Sequence, residues 1–295
     1  MKVGAKGYKL LKKTKDDKFD VELLHQYNLY ILLGIRDIQI GVVCGETNRI
    51  LLVEDYGLSS AKSYGELIVL LENLFDDHHL LKAGFWNEIK IGLKNNKFSL
   101  VPSSLFMEEA LQDYLQLNCR INPDTDEFNY YRHLKSDAVN CFAVNKRLAD
   151  WIRKMYPNKE VGFIHQSSSL IEGALSELSR APKDSLFAYI DRFKIHIIAS
   201  KDGNLEYYNQ FQIKEFQDYI KYIMLVLKGL ERDQMTTPVT LWGYLGQSSK
   251  HYKELARYIK NLSFGSRPKF LKFNYMFDEI QDHQYFDLYS LHLCE

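Results

Sequence analysis

Long apolar runs are missing from this chain, which excludes a membrane-spanning helix of ordinary length. The longest runs, such as Tyr222 to Leu227 and Leu29 to Leu33, are far shorter than the roughly 20 residues that cross a bilayer. Nor does an apolar segment of about 7 to 15 residues follow the N-terminal lysines, as a secretory signal requires. We therefore predict a solvated basic tail that contains lysines 2, 6, 9, 12, 13, 15 and 18.

Cysteine is scarce, and neither sign of charge is in excess. The 4 cysteines, at positions 44, 119, 141 and 294, are too scattered for a zinc site and too few for a disulfide-stapled secreted domain. Reduced thiols in a cytoplasm are expected. Because 38 basic residues balance 38 acidic ones, a broad phosphate-binding face for DNA or RNA is disfavoured. We expect a cytoplasmic protein without a nucleic-acid partner.

The common catalytic signatures are also missing. No Walker loop, G-x-G-x-x-G, H-E-x-x-H or C-x-x-C sequence occurs in the chain. Residues Asp76 to His79 are metal-ligating types, but adjacent helical positions point in different directions, so a polar helix end is the simpler interpretation. Ser167 to Ser169 follow His165 without the G-x-S-x-G context of a nucleophile elbow, and we interpret these serines as helix caps.

Two stretches of the chain predict the same order of elements. Residues 29–74 and 186–230 each read as strand, tight turn, strand, tight turn, strand and amphipathic helix. Connections this short force antiparallel neighbours, because a parallel crossover needs about a dozen residues or more. At an offset of 157 (190 − 33), the shared apolar positions are Leu33 and Ile190, Ile38 and Ile195, and Ile40 and Ile197.

The remainder of each half predicts two crossover units. Ser63 and Glu66 form a capping box, Ser169 and Glu172 indicate a second capping pair, and Asp202-Gly203 is a strong hairpin signal. Further helices are predicted over 104–117, 166–178, 214–230 and 249–260, and further strands over 97–101, 130–134, 139–144, 161–165, 239–242 and 268–273. Each half therefore reads βββαβαβ. We predict a first domain over 1–182, with the basic tail and an inserted hairpin, and a second over 183–295.

This arrangement resembles the tandem ribonuclease-H-like domains of the actin-like ATPase superfamily. The element order and the stretches LVPSSLF and LFAYIDRFKIHIIASKDG are similar to a family of uncharacterised bacterial proteins with an actin-like ATPase fold. That family is thought to be related to pilus-assembly actin homologues. The resemblance implies an α/β fold in which two βββαβαβ domains face each other across a cleft.

The resemblance also implies where a nucleotide would bind. Members that use ATP bind its phosphates at a glycine-rich turn after the first strand of each half, beside an acidic residue that orients hydrated magnesium. The residues at these positions, together with a glycine-containing loop that would contact adenine, are Gly34, Arg36, Asp191, Arg192, Gly243 and Gly246.

The two turns depart from the superfamily pattern. In the first, Ile35 and Arg36 stand where small residues are expected, and no carboxylate ends the strand. In the second, Asp191 ends its strand as the pattern requires, but Arg192 to Lys194 replace the glycines. Since only Asp191 is suitably placed, a two-metal nuclease site is not expected.

We therefore expect a non-catalytic or weakly nucleotide-binding actin-like protein that acts through an unknown protein partner and requires no cofactor. The alternative is an ATP-binding switch or phosphotransferase that uses Asp191 for magnesium, the Arg192 turn for phosphate and the Gly243 to Gly246 loop for adenine. The cations Arg36, Arg192 and Lys194 keep this alternative open, because side-chain cations can also neutralise phosphate.

Overall fold

Fourteen strands and seven α-helices are present in the computed structural model of the protein, which describes residues 6–178 and 181–295. The strands are β1 (Tyr8–Lys15), β2 (Tyr27–Leu33), β3 (Asp37–Cys44), β4 (Arg49–Leu58), β5 (Glu88–Leu93), β6 (Phe98–Pro102), β7 (Asp126–Arg132), β8 (Ala138–Asn145), β9 (Val161–His165), β10 (Leu186–Ile190), β11 (Lys194–Lys201), β12 (Asn204–Gln212), β13 (Val239–Gly243) and β14 (Leu262–Phe264). The helices are α1 (Tyr64–Asp77), α2 (Leu111–Asn118), α3 (Lys146–Met155), α4 (Gln166–Glu177), α5 (Gln217–Gly229), α6 (Lys250–Tyr258) and α7 (Phe286–Ser290). None of the described helices is both long and apolar enough to span a bilayer.

Two of the three sheets have matching topology. The first has the order β1-β4-β3-β2-β5-β9 and the second the order β12-β11-β10-β13-β14. In each, a meander of three antiparallel strands is extended by two parallel ones, as the predicted βββαβαβ order requires. The first sheet has one additional antiparallel strand, β1, at its edge. The predicted equivalence of apolar positions is confirmed in the pairing, since Leu33 faces Ile38 in the first hairpin and Ile190 faces Ile195 in the second.

Hairpin geometry follows from local sequence. Asp202 and Gly203 both have positive φ, 52° and 83°, the type I′ conformation that suits the twist of a two-residue hairpin. At the start of α1, Ser63 Oγ accepts the backbone N–H of Glu66, and the Glu66 carboxylate accepts the backbone N–H of Lys62. The hairpin and the first capping box are therefore confirmed.

Helices α4 and α7 pack between the two sheets. Leu170, Ile171 and Ala174 of α4 belong to an apolar cluster with strands of the second sheet. Leu288 of α7 packs where Gly41 of β3 leaves room for its side chain. The C-terminal helix α7 thus packs in the space between the two sheets.

The third sheet, β6-β8-β7, is inserted between β5 and α3. It extends the predicted inserted hairpin by one strand and carries α2 on one face, through a cluster that includes Leu115, Val139 and Cys141. The predicted helix over 104–117 begins only at Leu111. Two 3₁₀ turns precede it, because Tyr114 Oη donates to Leu105 O and accepts from the backbone N–H of Met107.

Three further sequence-based expectations are corrected. The basic tail forms strand β1, paired with β4, and its lysines line a sheet edge, where positive charge discourages pairing with another chain. Lys2 lies outside the described residues. The cap of α4 is His165, whose ring accepts the N–H of Ser167, and Glu172 is not part of a capping pair. Residues 268–273 form no strand, and Lys272 makes only an isolated parallel bridge to Arg49 of β4 in the first sheet.

The boundary predicted between residues 182 and 183 lies in the connection from α4 to β10, within a linker whose residues 179 and 180 are outside the described part of the chain. The boundary itself stays a prediction. Apolar residues from Leu271 to Cys294 pack in the core of the first sheet. The chain therefore returns to its first half after completing the second sheet.

Candidate functional site in the cleft

The two first hairpins face each other across the space between the sheets. Arg36 of the first turn stacks on the ring of Phe193 in the second, 4.7 Å from its centroid. Gly34 closes its turn through a backbone bond from its N–H to Asp37 O, 2.9 Å long, and Asp191 does the same with Lys194 O, also 2.9 Å. The turns predicted to bind phosphate are thus brought together, and side chains join them.

Lys94, directly after β5, lies at the centre of this region. Its Nζ is 2.7 Å from Asp37 Oδ2, 3.5 Å from Asp191 Oδ2 and 3.9 Å from Asp287 Oδ2. Gln166 Nε2 donates to Asp191 and Asp287 at 3.2 and 2.8 Å. All of these side chains are buried. One ammonium therefore links both hairpins, α4 and α7 in a single network, which we call the Lys94 centre.

The pKa values at the Lys94 centre follow from burial and mutual attraction. Burial alone would lower the pKa of Lys94, but attraction by Asp191, Asp37 and Asp287 outweighs it and raises that pKa above its ordinary value. For Asp191, burial is outweighed by Lys94, and its pKa lies below its ordinary value. Burial raises the pKa of Asp287 to about 6. A charged Lys94 is therefore the stable form at neutral pH.

Arg192 forms a second link between the hairpins. Its guanidinium donates to Asp37 Oδ2 at 3.3 Å and to Asp55 Oδ2 on β4. It also lies 4.5 Å from the ring centroid of Tyr244. Although burial opposes the charge, Tyr244 and Asp55 raise the pKa of Arg192. Arg192 thus occupies the corner where a glycine-rich turn would leave space for phosphate.

The loop predicted to contact adenine packs closely against the end of β10 in the structure. Gly243 has φ +96°, and a Cβ at this position would lie 2.1 Å from Ile190 O. Tyr244 Oη accepts from Gln39 Nε2 at 2.6 Å and donates to Asp55 Oδ2 at 3.1 Å. Gly246 accepts the backbone N–H of Ser249 before α6. Gly243 therefore permits its backbone to lie close to that of Ile190, and the Tyr244 side chain fills the cleft beside Arg192.

A cavity of about 590 Å³ lies beside the two hairpin turns. Three of the predicted site residues, Gly34, Arg36 and Asp191, line it, whereas Arg192, Gly243 and Gly246 do not. The start of α1, the residues after β5, and Lys194 complete its wall. Lys94, Tyr244 and Asp287 were not among the residues predicted from the sequence. Lys94 directly follows the alternating apolar residues Ile89, Ile91 and Leu93 of β5, and this pattern was the one signal that could have identified it.

Magnesium, which the resemblance implies, does not fit the carboxylates of the Lys94 centre. Divalent cations of this type are held by oxygen ligands, and the oxygens of Asp37, Asp191 and Asp287 surround an ammonium instead. Across residues 6–178 and 181–295, no group of three or more histidine, cysteine and carboxylate side chains is arranged to hold a metal ion. Lys94 supplies the positive charge that a metal would otherwise bring to these acids.

Comparison with known proteins supports the fold. The model of a family described as "Protein of unknown function (DUF3822)" matches residues 16–262. A crystal structure from Bacteroides thetaiotaomicron, of a protein with actin-like ATPase fold and unknown function, is 22% identical, covers 94% of this chain and 99% of its own, and has a TM-score of 0.78. The PilM-PilN type IV pilus biogenesis complex is 10% identical over 90% of this chain and 97% of its own, with a TM-score of 0.59.

None of the curated proteins matches this chain. The structural matches confirm the predicted actin-like ATPase fold and the similarity to pilus-assembly actin homologues. Structural matches at these sequence identities support the fold alone. Evidence about function comes from the cleft and the surface of this chain.

Proposed function

We propose that this chain, which belongs to the DUF3822 family of unknown function, is a non-catalytic actin-like protein that acts through contact with another protein. The observation that carries the proposal is the Lys94 centre. Its buried ammonium satisfies the acids that would otherwise orient a metal-bound nucleotide, and it does so within the chain. Breaking a buried ion pair by removing one partner costs about 3 to 5 kcal/mol, so an incoming metal complex would have to offset that cost.

The link made by Arg192 supports the same conclusion. Arg192 and Tyr244 fill the corner between the second hairpin and the Gly243 loop, where the resemblance would place the nucleotide. Asp55, the partner of both, is almost fully buried. Three polar groups would have to lose their partners before a ligand could enter this corner, and unsatisfied buried groups cost about 1 to 3 kcal/mol each.

The surface offers a place for a protein partner on the inserted sheet. Leu105 and Met107 are 65% and 61% exposed, and Tyr130 is 37% exposed. They are neighbours, because Phe106 between them packs on the Tyr130 ring at 4.9 Å. We call Leu105, Met107 and Tyr130 the insert face. Exposed apolar residues that cluster are typical of interaction sites, and the similar PilM structure is a complex with PilN.

A paired substitution tests this proposal. We expect the tagged wild-type protein to capture the same partner repeatedly from native lysate, and the double variant Leu105→Ser/Met107→Ser to lose it. Exposed substitutions of this kind change the free energy of unfolding by about 0.5 kcal/mol or less, so the variant remains folded. The matched control is Val69→Ser/Leu225→Ser, since both residues are 55% exposed and lie on α1 and α5. Equal capture by all three proteins, or capture by none, would refute the proposal.

The alternative function, an ATP-dependent switch, draws on one observation. The cavity borders both hairpin turns and includes the cations Arg36 and Lys194. A switch of this kind requires magnesium and ATP together, with Asp191 released from Lys94 to orient the metal. Its signature is a stabilisation that depends on both components and is diminished by Asp191→Ala.

A further inference from the structure

The cavity beside the hairpins has more positive charge than its own carboxylates can balance. Asp37 is paired with Lys94 and Arg192, and Asp191 lies 3.5 Å from Lys94. These are the acids in its wall. Three other cations in the wall, Arg36, Lys62 and Lys194, make no ion pair within 4 Å to any carboxylate of the described residues. The carboxylates in the wall are thus already paired with cations, whereas Arg36, Lys62 and Lys194 have no carboxylate partner among the described residues.

Among these cations, Lys194 has its ammonium group held in place by hydrogen bonds. Its Nζ donates to Asn95 O at 3.1 Å and to Gln210 Oε1 at 3.2 Å, which are both uncharged acceptors. An ammonium group has three protons to donate, so one remains for a ligand. Burial lowers the pKa of Lys194 to about 8, and attraction by Asp191 and Asp37 offsets this effect only in part.

The remaining wall is suited to a small polar molecule. Asn96 and Gln212 contribute amides, and Ile35 and Phe193 contribute apolar surface. The volume of about 590 Å³ lies within the range of about 300 to 1,000 Å³ that is typical of small-molecule sites. Arg36 brings a guanidinium, which can bind an oxyanion through two parallel hydrogen bonds.

We infer that this cavity binds a small molecule through an oxyanion, either a phosphate or a carboxylate, and that it does so without a divalent metal ion. Lys194 and Arg36 supply the charge, while the Lys94 centre remains intact beside them. The site is separate from the insert face, so ligand binding goes beyond the contact with a protein partner proposed above.

The test uses inorganic phosphate and succinate as the two probes. The full-length protein is kept in buffer with a chelator that removes divalent metal ions. We expect one of them to raise the melting temperature at millimolar concentration and to give a saturable binding isotherm by calorimetry. A response to phosphate alone identifies a phosphate ester as the ligand class, and a response to succinate alone identifies a carboxylate. The variants Lys194→Met and Arg36→Met should each weaken binding by about tenfold or more, as expected for a charge-assisted hydrogen bond.

The matched control is Lys201→Met, an exposed lysine on the same sheet and away from the cavity. It should bind the probe as the wild type does. Arg36 is exposed, so its variant tests the site independently of any change in the buried surroundings of Lys194. The inference is overturned by no response to either probe, by a response that requires magnesium, or by one that both cavity variants retain. The double variant Leu105→Ser/Met107→Ser should bind the probe normally, so a failure of the partner proposal is distinguishable.

Discussion

Replacing Lys94 by methionine is expected to lower the free energy of unfolding by about 3 to 5 kcal/mol at neutral pH. Methionine keeps the length of the side chain but removes the ammonium. Asp191 and Asp287 would then remain buried without the ammonium that now lies 3.5 and 3.9 Å away, and Asp37 would keep only Arg192. Denaturant unfolding at neutral pH, followed by circular dichroism, measures the loss.

Lys194→Met is the matched control, because the same substitution is made in the same cavity wall. Burial lowers the pKa of Lys194, so its charged form is disfavoured in the folded state. Removing that charge should leave stability within about 1 kcal/mol of the wild type or increase it. Equal destabilisation by the two substitutions would contradict the assignment of Lys94 as the central cation.

The pH dependence of the Lys94→Met variant follows from the same network. Without the ammonium, burial raises the pKa values of the three carboxyls above those of the unfolded chain, so the folded variant binds more protons as the pH falls. The free energy of unfolding of the variant, compared with that of the wild type, therefore rises as the pH falls from about 7 to about 5. The difference between the two proteins should be largest near neutral pH and smaller in mild acid.

Replacing Gly243 by alanine is the second change with a large expected effect, at least about 3 kcal/mol. The added Cβ would lie 2.1 Å from Ile190 O, and backbone atoms at this crossing cannot move without disturbing the pairing of β10 with β13. The positive φ of +96° adds conformational strain for any residue with a side chain. Thermal and denaturant unfolding both report the effect.

Gly246→Ala provides the control within the same loop. A Cβ at Gly246 meets no atom closer than 3.6 Å, the Nε2 of Gln281, which is an ordinary contact, so this variant should retain nearly wild-type stability. Comparison of these two variants separates the close backbone approach at Gly243 from the effect of adding a methyl group elsewhere in the loop. If Gly243→Ala were as stable as Gly246→Ala, the close approach that places Tyr244 beside Arg192 would not be required.

The sequence predicted the framework because period-two apolar patterns and turn residues are local signals. The hairpin at Asp202-Gly203 and the register of Leu33 with Ile38 could be read directly. Strand β14 could not be predicted in this way, because its three residues are flanked by polar ones and are held in the sheet only by pairing with β13. The lysine-rich edge strand β1 was likewise mistaken for a tail, since its stabilisation comes from β4.

The candidate site was predicted less well, because its chemistry depends on residues far apart in the chain. Asp287 and Lys94 are separated by 193 positions (287 − 94), and no local pattern indicates that they meet. Arg192 and Tyr244 both fall at sites where the resemblance suggested nucleotide contacts. The structure instead pairs their side chains with each other and with Asp55.

The most direct test of the central claim, that an internal ammonium replaces the metal-bound nucleotide in the cleft, is thermal melting of the wild-type protein with magnesium and ATP, alone and together. A ligand present at about 100 times its dissociation constant stabilises the folded state by about 2.7 kcal/mol, which is readily seen as a shift in melting temperature. We predict no shift that requires both components at millimolar concentration. A shift that appears only with magnesium and ATP together, and that Asp191→Ala diminishes, would contradict the account.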